Sequence, residues 1–421
     1  MLKGTLWSGF YRIAAIGTAF LISVVSARLL GLTSYGTLQF VLSITQLVQL
    51  GLGLGLATQV LRKSGEEKVT SNPGELDVLI KRSVAIFLIL MFLVGVPGFA
   101  FWGLIDGPGQ LALLGAAAAF AISQHLIGVY RSALVGRSHF MAAGFGEFLS
   151  GIIALALLGG LLVVASTVKL DPADVLLVRT GTATLGSLFL YLSWKNRRTT
   201  IGVFTAPIVD GAAMISLARA GFPVMLIGIG AIVNSSADII LLGLIRSSTE
   251  VGHYHVATRG ASLVVLPLTV MIVPLSPIIS KLHRTNQREL KTAFIKTTAV
   301  AAVAALVIAG LLLLLLQQFL GLFGPAFQGA ANVTIALIAA QLLNACFGPV
   351  QHLLVMTGHQ NLASRAMLYG VATNVILNLI LIPHFGGVGA AVGTGIGIVV
   401  WNVLAMLAVQ NNVFCGTGSD A

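Results

Sequence analysis

Six charged side chains fall deep inside apolar stretches of this sequence. Arg12, Arg179, Arg219 and Arg259 are opposed there only by Glu147 and Asp238. Each lies roughly 10 Å along a helix from the nearest polar flank, at about 1.5 Å of rise per residue. A charge at such depth is costly unless it faces a partner or a water-filled cavity. A guanidinium donates two parallel hydrogen bonds and so suits phosphate oxygens. Four cations against two anions therefore predict an anionic cargo, with a pyrophosphate head leading, held by Arg12, Arg179, Arg219 and Arg259. Each arginine also has a plainer reading. Arg12 could snorkel to inner headgroups, and Arg179 and Arg259 could pair with acids or carbonyls. Arg219 could bond carbonyls freed by Pro223. Asp238 and Glu147 are either structural partners of the arginines or protonatable coupling groups.

The remaining reactive side chains point to less. His253 and His255 flank Tyr254, but only Glu250 is near in sequence, so a solvated loop is favoured over a metal site. His125 and His352 read as hydrogen-bonded helix-face residues in preference to titrating cavity groups. Cys346 reads as a small buried side chain and Cys415 as a reduced surface thiol. No suitable glycine spacing is followed by Lys-Ser or Lys-Thr, so no ATP site and no other cofactor is predicted. Energy would come from an H+ or Na+ gradient, or from consumption of product outside.

The elements that carry these residues follow from composition. Of 421 residues, 57% are hydrophobic and 9% charged, and mean hydropathy is +0.98. Soluble domains are about 45–50% apolar and about 25% charged, and disorder needs the opposite bias. A multi-pass membrane protein remains. A crossing needs about 20 apolar residues, and twelve candidates satisfy that: 6–31, 36–61, 83–105, 111–131, 140–167, 173–194, 212–246, 251–280, 292–320, 328–356, 361–383 and 387–410. Several are apolar on every face, which predicts helices over the alternating strands of a barrel. The first is too long, and too closely followed by a second, for a cleaved signal peptide.

The formal charge of +11 is explained by topology. With the N-terminus inside, 17 of the 24 Lys and Arg fall on the cytoplasmic side, among them Arg62, Lys63, Arg82, Arg131 and Arg137. Arg28, Lys169 and Arg246 alone fall outside. This positive-inside bias puts both termini in the cytoplasm and removes the case for a nucleic-acid partner.

The spans divide into residues 1–200 and 201–421, six in each part. The parts are weakly similar. Tyr35 and Tyr254 are 219 residues apart, and a segment ending at Gly136 matches one ending at Gly358, a shift of 222. Two parallel six-helix lobes with a site between them is a transporter arrangement. Apart from Pro383 at a span end, six of the prolines lie in spans, five of them in the second lobe. Pro223, Pro267, Pro274 and Pro277 are the candidate hinges, a static kink being the alternative. The glycines between Gly386 and Gly397 permit close helix approach.

Arg28, Gly31, Tyr35 and Gly36 resemble the opening signature of Wzx-type polysaccharide flippases, relatives of MATE drug exporters and lipid II flippases. Arg28 reads equally as an outer-interface anchor. Pro223, Asp238, Glu250, Gly252, Tyr254 and Ala257 are similar to the family's seventh-to-eighth span pattern, and Gly358 to its tenth span. Asn374, Asn378, Pro383, Gly386 and Gly389 are similar to its eleventh-to-twelfth. Lipid II flippases usually carry two further spans. The resemblance implies a MATE-like all-α fold in the bacterial inner membrane. It also implies alternating-access transport of undecaprenyl-pyrophosphate-linked repeats for O-antigen or exopolysaccharide. Membrane lipids, and a polysaccharide polymerase and glycosyltransferases, are the expected partners. A MATE-type cation exporter would want more acids than Glu147 and Asp238 in its cavity. A membrane glycosyltransferase or polymerase would want a polar loop with a catalytic constellation, and the longest, 62–81, lacks one. The expectation is a transporter, not an enzyme.

Overall fold

The computed structural model describes residues 2–70, 75–95, 97–98, 111–164, 170–197 and 210–414. The side chains of Arg12, Pro223, Pro274 and Pro277 lie outside the described set. The fold is all-α as expected, and no strand occurs among the described residues. Nine helical stretches among them are long and apolar enough to cross a membrane. Two of these, Ala14–Gly53 and Gln360–Phe414, are 40 and 55 residues long, about twice the length of one crossing. The first is broken at Gly31 (φ +70°) and the second at Gly386 (φ +56°).

The chain forms two compact units, Met1–Ile232 and Val233–Ala421. Their border falls inside a helix, later than the sequence division at 200/201. The first unit holds α1 (Leu2–Gly53), α2 (Leu56–Thr70), α3 (Glu75–Leu90), a π-helical turn (Met91–Gly95), α4 (Leu111–Gly136), α5 (Phe140–Val164) and α6 (Pro172–Arg197). α7 (Gly211–Ile245) runs across the border. In the first unit α4 packs against α2 and α6, and α1 against α5. Phe87, Met91, Phe120, Leu134, Leu158, Leu176 and Trp194 belong to its core. α6 starts with Pro172 and Asp174 and ends with Lys195 and Arg197, in line with the helix dipole. Asp210 caps α7, its Oδ1 accepting from the Ala212 and Ala213 N–H at 3.1 and 3.3 Å.

The second unit holds α8 (Ser248–Thr285), α9 (Gln287–Leu314), α10 (Leu316–Gly321), a 3₁₀ turn (Pro325–Ala330), α11 (Ala331–Phe347), α12 (Val350–Met356) and α13 (Gln360–Val409). Asn286 ends α8 and caps α9, its Oδ1 accepting from Glu289 N–H at 3.1 Å. α9 is amphipathic in size. Ala301, Ala305 and Ala309, four residues apart, are buried, whereas Val300, Val303, Val307, Leu311 and Leu314 are exposed. Small residues let helix backbones approach, and large aliphatic ones suit lipid.

α8 runs as one helix past Pro267, Pro274 and Pro277. A break does fall at Gly348 (φ +73°), between α11 and Pro349. Pro349 follows the positive-φ residue that ends α11, a place where Pro is common because it cannot continue the helix.

The repeat is visible in the backbone. His139 N–H bonds Leu134 C=O at 2.8 Å, and His359 N–H bonds Leu354 C=O at 2.8 Å. Both are Schellman turns, with Ser138 (φ +67°) and Gly358 (φ +87°) in the left-handed position. The equivalent residues are 220 apart, correcting the 222 read from the glycines. The left-handed site carries Ser in one copy and Gly in the other, so matching glycine to glycine slipped the register.

Candidate functional site

Asp238 is the centre of a buried polar constellation in the second unit. It is 5% exposed and Asn378 not at all, although both sit in apolar helices. Tyr254 O–H donates to Asp238 Oδ2 at 2.6 Å. The Thr394 hydroxyl lies 2.8 Å from the same oxygen. Asn378 Nδ2–H donates to Asp238 Oδ1. Asn374 Nδ2–H donates to Thr394 Oγ1 at 3.1 Å, and Asn374 Oδ1 accepts from Asn378 at 3.2 Å.

Three elements supply these groups: α7 gives Asp238, α8 gives Tyr254, and the two arms of α13 give Asn374, Asn378 and Thr394. Asn374 and Asn378 share a face because i and i+4 line up on a helix. The arms reach each other because glycines line the contact. A Cβ on Gly393 would collide with Asn378 Oδ1, and one on Gly397 would fall 2.9 Å from Asn374 Cβ. Gly389 likewise faces the Leu381 carbonyl, where a Cβ would come within 2.6 Å. The bend joining the arms is pinned by Glu250, which accepts from Gly387 N–H at 3.0 Å and pairs with Arg246 at 3.1 Å. At Gly386 a Cβ would collide with the Glu250 carboxylate.

Asp238 accepts hydrogen bonds from hydroxyls and an amide, and Asn378 Oδ1 is buried without a hydrogen-bond partner. One carboxylate with neutral oxygens suits a proton or a small hard monovalent ion. Among the described residues no group of three His, Cys, Asp or Glu could hold a metal.

The intramembrane arginines have separate surroundings. Arg179 lies over the Phe120 ring, 5.4 Å from its centroid. Arg219 is exposed on α7. Arg259 donates to His255 Nε2 at 3.2 Å, and its Nε is buried without a hydrogen-bond partner. Arg28 is exposed on α1. Among the described residues, Glu147 meets none of Arg179, Arg219 and Arg259. It pairs with Arg131, at 2.7 Å, a residue that charge sorting put at the inner span ends. α5 and α4 lie side by side, so a glutamate two turns inside α5 reaches the end of α4.

A basic cavity that sequence reasoning missed lies in the first unit. It holds about 530 Å³ and is lined by Gln59, Arg62 and Lys63 of α2, Glu75 and Arg82 of α3, and Ser216 of α7. Lys63 pairs with Glu75 at 3.0 Å and Arg82 with Asp210 at 3.8 Å. These cations had been assigned to topology, and only helix packing gathers them.

Among the histidines, His253 Nε2 lies 3.1 Å from Ala326 C=O, while His255 is buried beside Arg259. They face different ways, as i and i+2 do on a helix. His125 stacks on Phe87 at 3.9 Å, and His352 bonds Ser276 at 2.7 Å. Cys346 is exposed, not buried as expected; Cys415 lies outside the described residues.

The family model for polysaccharide biosynthesis protein matches residues 1–283. The curated "Probable flippase AglR" of Haloferax volcanii is 32% identical over 181 residues, 42% of this chain and 38% of that protein. The match thus spans about two fifths of that relative's length. The fold is shared with the solved lipid II flippase MurJ in an inward closed conformation, at TM-score 0.69 and 15% identity, covering 97% of this chain and 88% of that one. It is shared also with an inward-facing multidrug resistance MATE family transporter of the MOP superfamily, at TM-score 0.74 and 15% identity, covering 96% of both chains.

Proposed function

Because the chain belongs to the polysaccharide biosynthesis protein family, we propose that it is a flippase for lipid-linked oligosaccharides. The cargo would be an undecaprenyl-pyrophosphate-linked repeat unit of an O-antigen or exopolysaccharide. It would cross the bacterial inner membrane by alternating access, with glycosyltransferases supplying it and a polymerase consuming it. The observation that carries this reading is the family match over two thirds of a chain whose charged cavity is basic. Arg62, Lys63 and Arg82 line that cavity against a single lining carboxylate, Glu75. Such a lining suits a phosphate-bearing head. Arg12, Arg179, Arg219 and Arg259 remain candidates for later contacts along the path.

Asp238, Asn374, Asn378 and Thr394 would hold the coupling ion, H+ or Na+, whose charge would offset the buried carboxylate. Tyr254 keeps the carboxylate oriented. Pro223, Pro267, Pro274 and Pro277 would allow bending of α7 and α8 during the cycle. A second reading, export of cationic drugs, draws on the buried Asp238 and the fold shared with the MATE transporter.

The two readings separate in proteoliposomes. A fluorescent polyprenyl-pyrophosphate oligosaccharide is loaded, and its sugar is probed with a membrane-impermeant glycosidase. The flippase reading expects new sugar exposure within minutes, abolished by the combined R62A, K63A and R82A substitutions. Proton- or sodium-driven ethidium export with no lipid movement would overturn it in favour of drug export.

A further inference from the structure

A second cavity, of about 360 Å³, opens in the second unit where α8, the α11–α12 break and the second arm of α13 meet. Asn344, Gln351, His352, Trp401 and Asn402 line it beside aliphatic groups of α8, and no Asp, Glu, Lys or Arg does. It lies along helices that are long and apolar enough to cross a membrane. Polar side chains at that depth cost free energy unless a polar occupant meets them.

Part of the lining is held in place by the protein. Asn402 Nδ2–H donates to Asn344 Oδ1 at 2.9 Å and to Ile398 C=O at 3.0 Å. Asn344 Nδ2–H donates in turn to Gln341 Oε1 at 3.3 Å. His352 Nε2 is engaged by the Ser276 hydroxyl at 2.7 Å. The Trp401 indole N–H and the Gln351 amide are half-buried and have no hydrogen-bond partner among the described residues. The backbone is irregular here too: α11 ends at Phe347, and Gly348 and Pro349 leave the helix before α12. Non-helical backbone at membrane depth is tolerated where it lines a cavity, and broken helices mark transporter binding sites.

The chemistry of this lining selects among ligands. An anion finds no cation in it, and a cation finds no carboxylate. An apolar molecule would leave the amides unmatched. A neutral sugar ring matches every part. Its C–H face covers an indole face. Its hydroxyls both donate and accept, as the Asn, Gln and His groups require.

We propose that this cavity is a subsite for a neutral sugar residue, with Trp401 as the stacking platform and Gln351 and Asn402 as the hydroxyl-reading groups. The assignment deepens the flippase reading, on which it rests, by giving the glycan part of the cargo a place in the second unit. It also makes the cargo's sugar a determinant of selectivity, separate from the basic cavity of the first unit.

The test uses the full chain in lipid nanodiscs and saturation-transfer NMR. The probes are the methyl glycosides of glucose, galactose and N-acetylglucosamine, with glucuronate as the charged counterpart and empty nanodiscs as background. Saturation should reach the ring C–H protons of at least one neutral glycoside. W401A should lower that signal about fivefold and Q351A about twofold, as expected for loss of a stacking face and of one hydrogen bond. W401F should keep most of it. No signal above empty nanodiscs for all three glycosides overturns the proposal. So does an undiminished signal in W401A that unfolds at the wild-type temperature. If W401A does not fold, an undiminished signal in Q351A overturns it. The proteoliposome assay runs in parallel. Sugar signal without lipid movement in the wild-type protein would sink the flippase reading and leave the sugar site standing. Lipid movement without sugar signal would do the reverse.

Discussion

Tyr35 in the first unit and Tyr254 in the second occupy equivalent places in the repeat, and both are fully buried. Their partners differ. The Tyr35 hydroxyl hydrogen-bonds the Ser23 hydroxyl at 3.0 Å. The Tyr254 hydroxyl donates to a carboxylate, Asp238, which also gathers Thr394 and Asn378. Two glycine breaks, which are not counterparts in the repeat, also differ. Gly31 has open space around it, whereas Gly386 is pressed against Glu250. One backbone plan is thus built twice, and among the described residues the buried charge, Asp238, lies in the second copy.

Removing Asp238 should break the comparison hardest. D238A leaves three donors without their acceptor, at about 1–3 kcal/mol each for a buried unsatisfied group. Thermal unfolding should show a loss of more than about 3 kcal/mol, and lipid movement should stop. S23A should cost only about 1 kcal/mol. Equal losses from the two would erase the distinction between the units. D238N keeps the shape and one acceptor oxygen, so it should fold while transport drops at least about tenfold.

The glycine breaks come next. G386A meets both a left-handed φ and the Glu250 carboxylate, and should cost about 2–4 kcal/mol. G31A meets only the left-handed φ, for about 1–2 kcal/mol. A smaller effect follows from Tyr to Phe. Y254F loses a hydrogen bond to a carboxylate, worth about 1.5–3 kcal/mol, and Y35F a neutral one, worth about 0.5–1.5 kcal/mol. Denaturation of each pair under one condition ranks them, and a reversed order would remove the charge as the cause. The smallest effect is at the Schellman turns. S138G should stabilise by about 0.5–1 kcal/mol and G358S should destabilise by a similar amount, because Gly accepts the left-handed φ without strain.

Legibility in the sequence varied with the range of the interaction. Asp238 stood out because a lone acid within an apolar span is costly. Asn374 and Asn378 stood out as a motif, and their spacing of four already put them on one face. Thr394 carried no signal, since a threonine in a glycine-rich span is unremarked until the arms of α13 fold together. Glu147 looked like a membrane charge in need of an intramembrane arginine, and it pairs with Arg131 on the neighbouring helix. Arg62, Lys63 and Arg82 were fully explained by the positive-inside bias, which hid their convergence on one cavity.

Membrane class, helical content and the doubled plan were legible in the sequence alone. Each depends on hydropathy or helical period, which are summed over short windows of chain. The pairing of Asp238 with Thr394, 156 residues away, was decided by tertiary structure, as was that with Asn378, 140 residues away. The same holds for the sugar-suited cavity around Trp401. Such groups meet only after helices choose their neighbours and rotate into register. That choice belongs to close packing of many side chains at once, and no short window of sequence contains it.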